Sequence, residues 1–269
     1  MNSENTTISP LIYQIVSLVK DASTIMMERN FTIAEKSDSS NIVTSKDIAV
    51  QKFLKNKLTS LIPGSLFLGE EGDFLNSDAE YIWVVDPIDG TANYARDLEL
   101  SVISVALLKF GMPYIGVVYC PYRNQMFTAQ KGCGAFLNDE PIHVSDRPLK
   151  KSILCSAMSL YDKRYAKPCF NIIEKIYAVS DDLRRLGTAA LELCYLACGK
   201  VDLYFEVRLS CWDYAAALLI VNEAGGKAEI MFNDGINLQK PAGVFAANSS
   251  ENFDTIKKII YDEIPQPLY

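Results

Sequence analysis

Carboxylates gather at four points of this chain, each where an apolar run gives out. Glu70 and Glu71 sit in "FLGEEG", Asp86 and Asp89 lie three apart in "WVVDPIDGTANY", and Asp213 follows the tryptophan of "CWDYAAA". Asp47, in "VTSKD", is a fourth candidate. Clustered carboxylates repel one another unless a cation lies among them. A donor set made only of oxygen suits a hard ion, with Mg²⁺ the first choice. In α/β sheets ligands collect in the crevice beyond the strand ends. Acids placed there can hold a metal against an anionic substrate.

Each signal also has an ordinary meaning. Asp89-Gly90 is a common turn pair, and Pro87 suits a turn equally well. "GEEG" alone reads as a solvated acidic loop. Asp213, near a helix start, can simply complement the helix dipole. Singly these features are weak, and jointly they point to a metal site.

The rest of the composition narrows the chemistry. His143 is the only histidine, which argues against catalytic triads and His-rich zinc sites. Seven scattered cysteines form no C-x-x-C pair, the pattern of reduced thiols in a reducing compartment. Cys194 and Cys198 share one face of an expected helix and read as core packing. A net charge of −7 leaves no electrostatic footprint for nucleic acid or an anionic membrane. "MNSENTTISP" has no Lys or Arg before an apolar core, so it does not read as a signal peptide. The longest apolar runs, such as "AAALLIV" at 215–221, are too short to span a bilayer. A soluble cytoplasmic protein is expected. With 269 residues, 49% of them hydrophobic, the chain can bury one large core or two closely packed halves.

The elements that must position these acids follow from periodicity. Ser9-Pro10 caps a first helix with a stripe at Leu11, Ile12, Ile15, Val16, Val19, Ala22 and Met26. "AEKSDSSNIVTSKD" reads as a polar loop, and a second helix runs from about Ser45 to Leu61. "LFLGEEG" and "EYIWVVDP" read as strands, "LSVISVALLKFGMPYIGVVYCP" as a hairpin about Gly111, and "QMFTAQKGCGAFLND" as a further pair. From about residue 152, strands at "KSILCSA", "VDLYFEV" and "VFAANSS" alternate with helices. Those helices fall at "KRYAKPCFNIIEKIYAV", "TAALELCYLACGK", "CWDYAAALLIVNEAGG" and "SENFDTIKKIIYDEI", with Gly199 and Gly225 or Gly226 as stops. The layout predicts a layered α/β body.

"GEEG", "WVVDPIDGTANY" and "CWDYAAALLIVNEAGG", in this order and at these separations, resemble the inositol monophosphatase family. The resemblance runs from about residue 8 to 262, as a single domain with an N-terminal half (8–150) carrying most metal ligands and a C-terminal α/β half (151–262). It implies an αβαβα five-layered sandwich of the inositol monophosphatase and fructose bisphosphatase type. It also implies two or three Mg²⁺ ions per site, lithium sensitivity and a homodimer. By the same resemblance, Glu70, Asp86 and the Ile88 carbonyl match the first metal's ligands, and Asp86, Asp89 and Asp213 the second's. Asp47 and Thr91, with Glu70, match the residues that orient the attacking water. Gly90 and Thr91 match a phosphate cradle, Ala189 a backbone contact to substrate, and Glu206 a residue that holds sugar hydroxyls. On this reading Asp86 ends a strand and Pro87 fixes the turn that carries Asp89 to the second ion. "EKSDSSN" at 35–41 is expected to order only when the site is filled.

Departures exist: Ala216, Ala217 and Leu218 follow the W-D pair, and "SILCSAMSLYD" lacks the family's usual glycine. Arg184-Arg185 either meets a second phosphate or is solvated. The activity implied is Mg²⁺-dependent hydrolysis of a small phosphorylated polyol or sugar, myo-inositol monophosphate first, by a metal-activated water. Fructose bisphosphate, NADP, a nucleotide 3′-phosphate and histidinol phosphate are the alternative substrates. A non-catalytic accessory role in RNA processing or transcription is the alternative class, with no direct nucleic-acid contact expected from the acidic balance.

Overall fold

The computed structural model describes residues 8–35, 42–72, 79–158 and 162–267. The expectation for the segment at 35–41 falls almost wholly outside the described residues.

Helix α1 (Pro10–Met27) starts where expected: the Ser9 hydroxyl accepts from the Leu11 amide at 3.3 Å, and Pro10 opens the first turn. Helix α2 (Ser45–Leu61) is capped by Thr44. Before it, β1 (Ile33–Glu35) and β2 (Ile42–Thr44) pair antiparallel, where the sequence reads as loop. Three residues per strand, of which only Thr44 is buried, give no alternation to detect; backbone bonds make this hairpin.

A seven-stranded sheet follows. Its strands are β3 (Leu66–Gly69), β4 (Tyr81–Asp89), β5 (Val102–Lys109), β6 (Met112–Cys120), β7 (Gln125–Gln130), β8 (Ala135–Leu137) and β9 (Glu140–Ile142). They lie side by side in chain order, with only the first pair parallel. The short helix α3 (Thr91–Ala95) interrupts between β4 and β5. A five-stranded sheet is built from β10 (Ile153–Ala157), β11 (Asp182–Arg184), β12 (Leu203–Leu209), β13 (Lys227–Ile230) and β14 (Ala242–Ala247), in the order β11-β10-β12-β14-β13. Helices α4 (Ala166–Tyr177), α5 (Ala189–Ala197), α6 (Cys211–Glu223) and α7 (Ser250–Glu263) complete the chain. Strands β11 and β13 were not foreseen. They are short, largely polar edge strands, which need no buried face.

Strand alternation sorts the core into layers. Along β4, Trp83 and Val85 pack toward α1 and α2, while Ile82 and Val84 turn to the opposite face. Along β14, Val244 and Ala246 face inward, and Phe245 and Ala247 pack outward with Ile172, Ile176, Ile256 and Ile260 of α4 and α7. Between the sheets lie α5, buried at every residue, and α6, buried over most of its length. A helix apolar all round must be enclosed on all sides, so these two form the middle layer. The order is α1/α2, seven-stranded sheet, α5/α6, five-stranded sheet, α4/α7: the αβαβα sandwich. Gly116 of β6 lets this packing close, because a Cβ there would stand 2.6 Å from the Ala216 carbonyl oxygen. All seven cysteines are free, and Cys194 lies in the middle of the core. No described helix is long and apolar enough to cross a membrane.

Candidate active site

Strand β4 does not end at Asp86. It runs on to Asp89, with its pairing to β5 slipping between Asp86, opposite Ser104, and Asp89, opposite Val102. Pro87 cannot donate to the ladder, and the Ile88 amide turns inward to the Asp86 carboxylate at 2.9 Å. The expected turn is therefore a bulge inside the strand, and bulges re-aim side chains at functional sites. Gly90 then takes φ +88°, with Leu100 and Gly187 backbone oxygens 3.0 and 3.2 Å from any added Cβ.

Glu70, Asp86, Ile88, Asp89, Gly90, Thr91, Ala189, Glu206 and Asp213 all line one cleft, and Arg185 joins them. Asp47 lies one layer behind. Its Oδ2 accepts from the Thr44 amide at 2.8 Å as the helix-capping carboxylate of α2, and its Oδ1 accepts from the Thr91 hydroxyl at 3.2 Å. Asp213 has the same double duty, since its carboxylate accepts from the Ser210 amide at 2.8 Å at the start of α6. In Asp213 the ordinary capping role and the cleft position thus belong to the same side chain. Arg184 pairs with Asp182 and does not line the cleft, whereas its neighbour Arg185 does.

Burial drives the electrostatics. It lifts the Asp86 carboxyl well above its usual range, and the charges of Glu70, Asp89, Asp213 and Asp47 add to the rise. Asp89 is also raised by burial, although Thr188 Oγ1 at 2.6 Å and the Ala190 amide at 2.8 Å donate to its Oδ2. The Asp47 carboxyl is pushed up to about 6, again by burial first. On β12, Glu206 is buried and raised, with the Tyr204 hydroxyl donating to it at 3.0 Å. Among the described residues no three acidic, Cys or His side chains stand grouped as a ready-made metal cage, as expected when like charges hold one another apart. The donor set itself fits a hard cation. It is all oxygen, buried, and mutually repulsive, and a divalent ion relieves each of those costs.

Sequence reasoning passed over several residues of this cleft. Glu192 of α5 lines it and accepts from the Gly187 amide at 3.1 Å, so it shapes the turn before Ala189; burial pushes its carboxyl up to about 7. Asn93 donates to the Leu100 and Leu186 carbonyls at 2.8 and 2.7 Å, tying the β4 side of the cleft to the α5 side. Its place in "TANY" was the available signal. Arg208 also lines the cleft, and nothing in "EVRLS" marks it.

The layered fold and this acidic cleft together define the class. The chain belongs to the inositol monophosphatase family, whose model matches residues 7–264. Comparison with known proteins finds "Nus factor SuhB" of Xylella fastidiosa, 39% identical over 181 residues, 67% of this chain and 66% of that one. The "Nus factor SuhB" of Salmonella typhimurium is 37% identical over 217 residues, 80% and 81% of the two chains. Among solved structures, an inositol monophosphatase from Anabaena (Nostoc) superposes with a TM-score of 0.81 at 30% identity, covering 96% of this chain and 97% of that one. The extragenic suppressor protein suhB from Bartonella henselae gives 0.83 at 28%, covering 94% and 98%.

Proposed function

We propose that the protein is a Mg²⁺-dependent phosphomonoesterase that hydrolyses a small polyol phosphate, with myo-inositol monophosphate the first candidate. One observation carries this reading: every sequence-nominated ligand and substrate residue lines a single cleft, with Asp47 directly behind Thr91. Glu70, Asp86, the Ile88 carbonyl, Asp89 and Asp213 would hold the ions. Bound Mg²⁺ supplies charge neutralisation for the phosphoryl and leaving oxygens and makes water a better acid.

The chain's own residues do the positioning. The Thr91 hydroxyl, held by Asp47 and by the Ile88 carbonyl at 3.1 Å, and Glu70 orient the attacking water. Gly90 lets the phosphate approach the backbone closely. Glu206 accepts hydrogen bonds from the polyol hydroxyls. No cysteine or histidine lines the described cleft, which favours direct in-line attack by water over a covalent phosphoenzyme.

The test is phosphate release from a panel of small phosphomonoesters, with Mg²⁺ and with a chelator. Absence of metal-dependent release from every member would refute the reading. A second reading rests on the name "Nus factor" carried by relatives 36–39% identical: an accessory factor in transcription, working through protein contacts given its net charge of −7. The two separate cleanly, because Asp86→Asn abolishes hydrolysis and leaves an accessory role intact.

A further inference from the structure

The turn between β11 and α5, residues 185–188, is clamped from both sides. On its amide side Glu192 Oε1 accepts from the Leu186 and Gly187 N–H groups at 2.5 and 3.1 Å. On its carbonyl side Asn93 Nδ2 donates to the Leu186 and Gly187 oxygens at 2.7 and 3.4 Å. The turn then grips a cleft carboxylate, since Thr188 Oγ1 and the Ala190 amide donate to Asp89 Oδ2 at 2.6 and 2.8 Å. Glu192, Asn93, Thr188 and Asp89 are all buried, so little water competes for these bonds.

Glu192 is the member of this chain that the turn itself does not require. Burial opposes its charge and pushes its carboxyl up to about 7. An amide oxygen could accept the same two N–H groups without that penalty. An ionised acceptor, however, makes shorter and stronger bonds to N–H than a neutral one. The acid therefore holds the turn more firmly than an amide would, and Asp89 is the side chain that the firm turn orients. Outer partners that fix the orientation of metal-ligating side chains contribute substantially to metal affinity.

We infer that Glu192, acting through the Leu186–Gly187 turn and Asp89, is a positioning residue that sets the affinity of the cleft for its divalent cation. The inference rests on the reading of Asp89 as an ion ligand and deepens it. Glu192 holds the turn, Thr188 and Ala190 hold Asp89, and Asn93 keeps the turn from sliding toward the β4 side.

Calorimetric titration with Mg²⁺ at about pH 8, without substrate, tests this on wild type, Glu192→Gln and Glu192→Ala. Affinity is expected to fall about 3- to 10-fold in Glu192→Gln, which keeps a neutral acceptor, and about 10- to 100-fold in Glu192→Ala. Metal-free Glu192→Gln should melt no lower than wild type, because it loses a buried charge. A purely structural role predicts the reverse: a lower melting point with Mg²⁺ affinity unchanged. A double-mutant cycle checks the route. In a Thr188→Val background, where the turn has lost its hydroxyl grip on Asp89, Glu192→Gln should weaken Mg²⁺ binding less than it does in wild type. Full additivity would mean that Glu192 acts by its charge alone and would overturn the positioning role, as would unchanged affinity in both single variants. With inositol 1-phosphate, the activity that Glu192→Gln loses at limiting Mg²⁺ should return at saturating Mg²⁺; a loss that persists at saturation refutes the inference. If no ester releases phosphate, the hydrolase reading has failed on its own, and the Mg²⁺ titrations still decide the role of Glu192.

Discussion

Replacing Asp47 by Asn separates what this residue costs the fold from what it contributes to the site. The Asp47 side chain is fully buried, its Oδ2 taking the Thr44 amide at 2.8 Å and the Thr44 hydroxyl, its Oδ1 the Thr91 hydroxyl. An amide keeps one carbonyl oxygen for both Thr44 donors. Its NH₂ can donate to the Thr91 oxygen, which still donates to the Ile88 carbonyl. The cap survives, and the buried charge disappears. Burial raises the Asp47 carboxyl from 3.8 to about 6 in the folded protein, with Glu70 and Glu71 adding to it. Between those values the native state binds more proton than the unfolded one, so stability falls as pH rises through that window. At about 1.36 kcal/mol per pH unit the penalty reaches on the order of 3 kcal/mol above about pH 6. In metal-free buffer at about pH 8, Asp47→Asn should therefore be the more stable protein by ~3 kcal/mol, with the two converging toward about pH 4. Phosphatase activity should move the other way, down by about 100-fold or more, because Thr91 loses its anionic acceptor. Urea denaturation across the pH range, beside phosphate release, measures both. Parallel stability curves, or a variant weaker than wild type at the alkaline end, would sink the burial argument.

Four further outcomes are expected. Asp86→Asn should remove most activity while leaving the melting profile normal; retention of more than about a tenth of the wild-type rate would mean that Asp86 does not bridge two ions. Millimolar Li⁺ should inhibit uncompetitively or noncompetitively with respect to substrate, and a purely competitive pattern would place lithium elsewhere. Glu206→Gln should raise KM for inositol monophosphate, costing about 1–2 kcal/mol in kcat/KM; a silent variant would show that Glu206 does not hold the polyol. Gly90→Ala should destabilise by about 2 kcal/mol, since L-residues resist φ +88° and two of the crowding atoms are backbone oxygens that cannot swing aside; an unchanged denaturation midpoint would contradict this.

The sequence by itself determined the elements that carry a strong period. Ser9-Pro10 and its apolar stripe became α1, and the β5–β6 hairpin turned at Gly111. The mostly apolar "TAALELCYLA" and "CWDYAAALLIV" became the enclosed middle layer, because no amphipathic surface helix has that composition. Glu70, Asp86, Asp89 and Asp213 were equally legible, since acids at the ends of apolar runs have few reasons to be there. Short edge strands were not. β11 and β13 exist because a neighbouring strand offers backbone partners, and their side chains carry no trace of it.

Tertiary structure alone decided the rest. It turned Asp86–Asp89 into a bulge within β4, where the sequence suggests a turn, because β5 pairs on both sides of Pro87. It separated Arg184 from Arg185, adjacent in the chain, by pairing one with Asp182 and leaving the other at the cleft. It brought Glu192 and Arg208 to the cleft, one from a core helix and one from a strand where nothing marks the arginine. Asp47 shows the division most plainly. Its place in a capping box is local and readable in "TSKD", but its reach to Thr91, 44 residues away, exists only once α2 packs on β4 and excludes the water that would otherwise separate them.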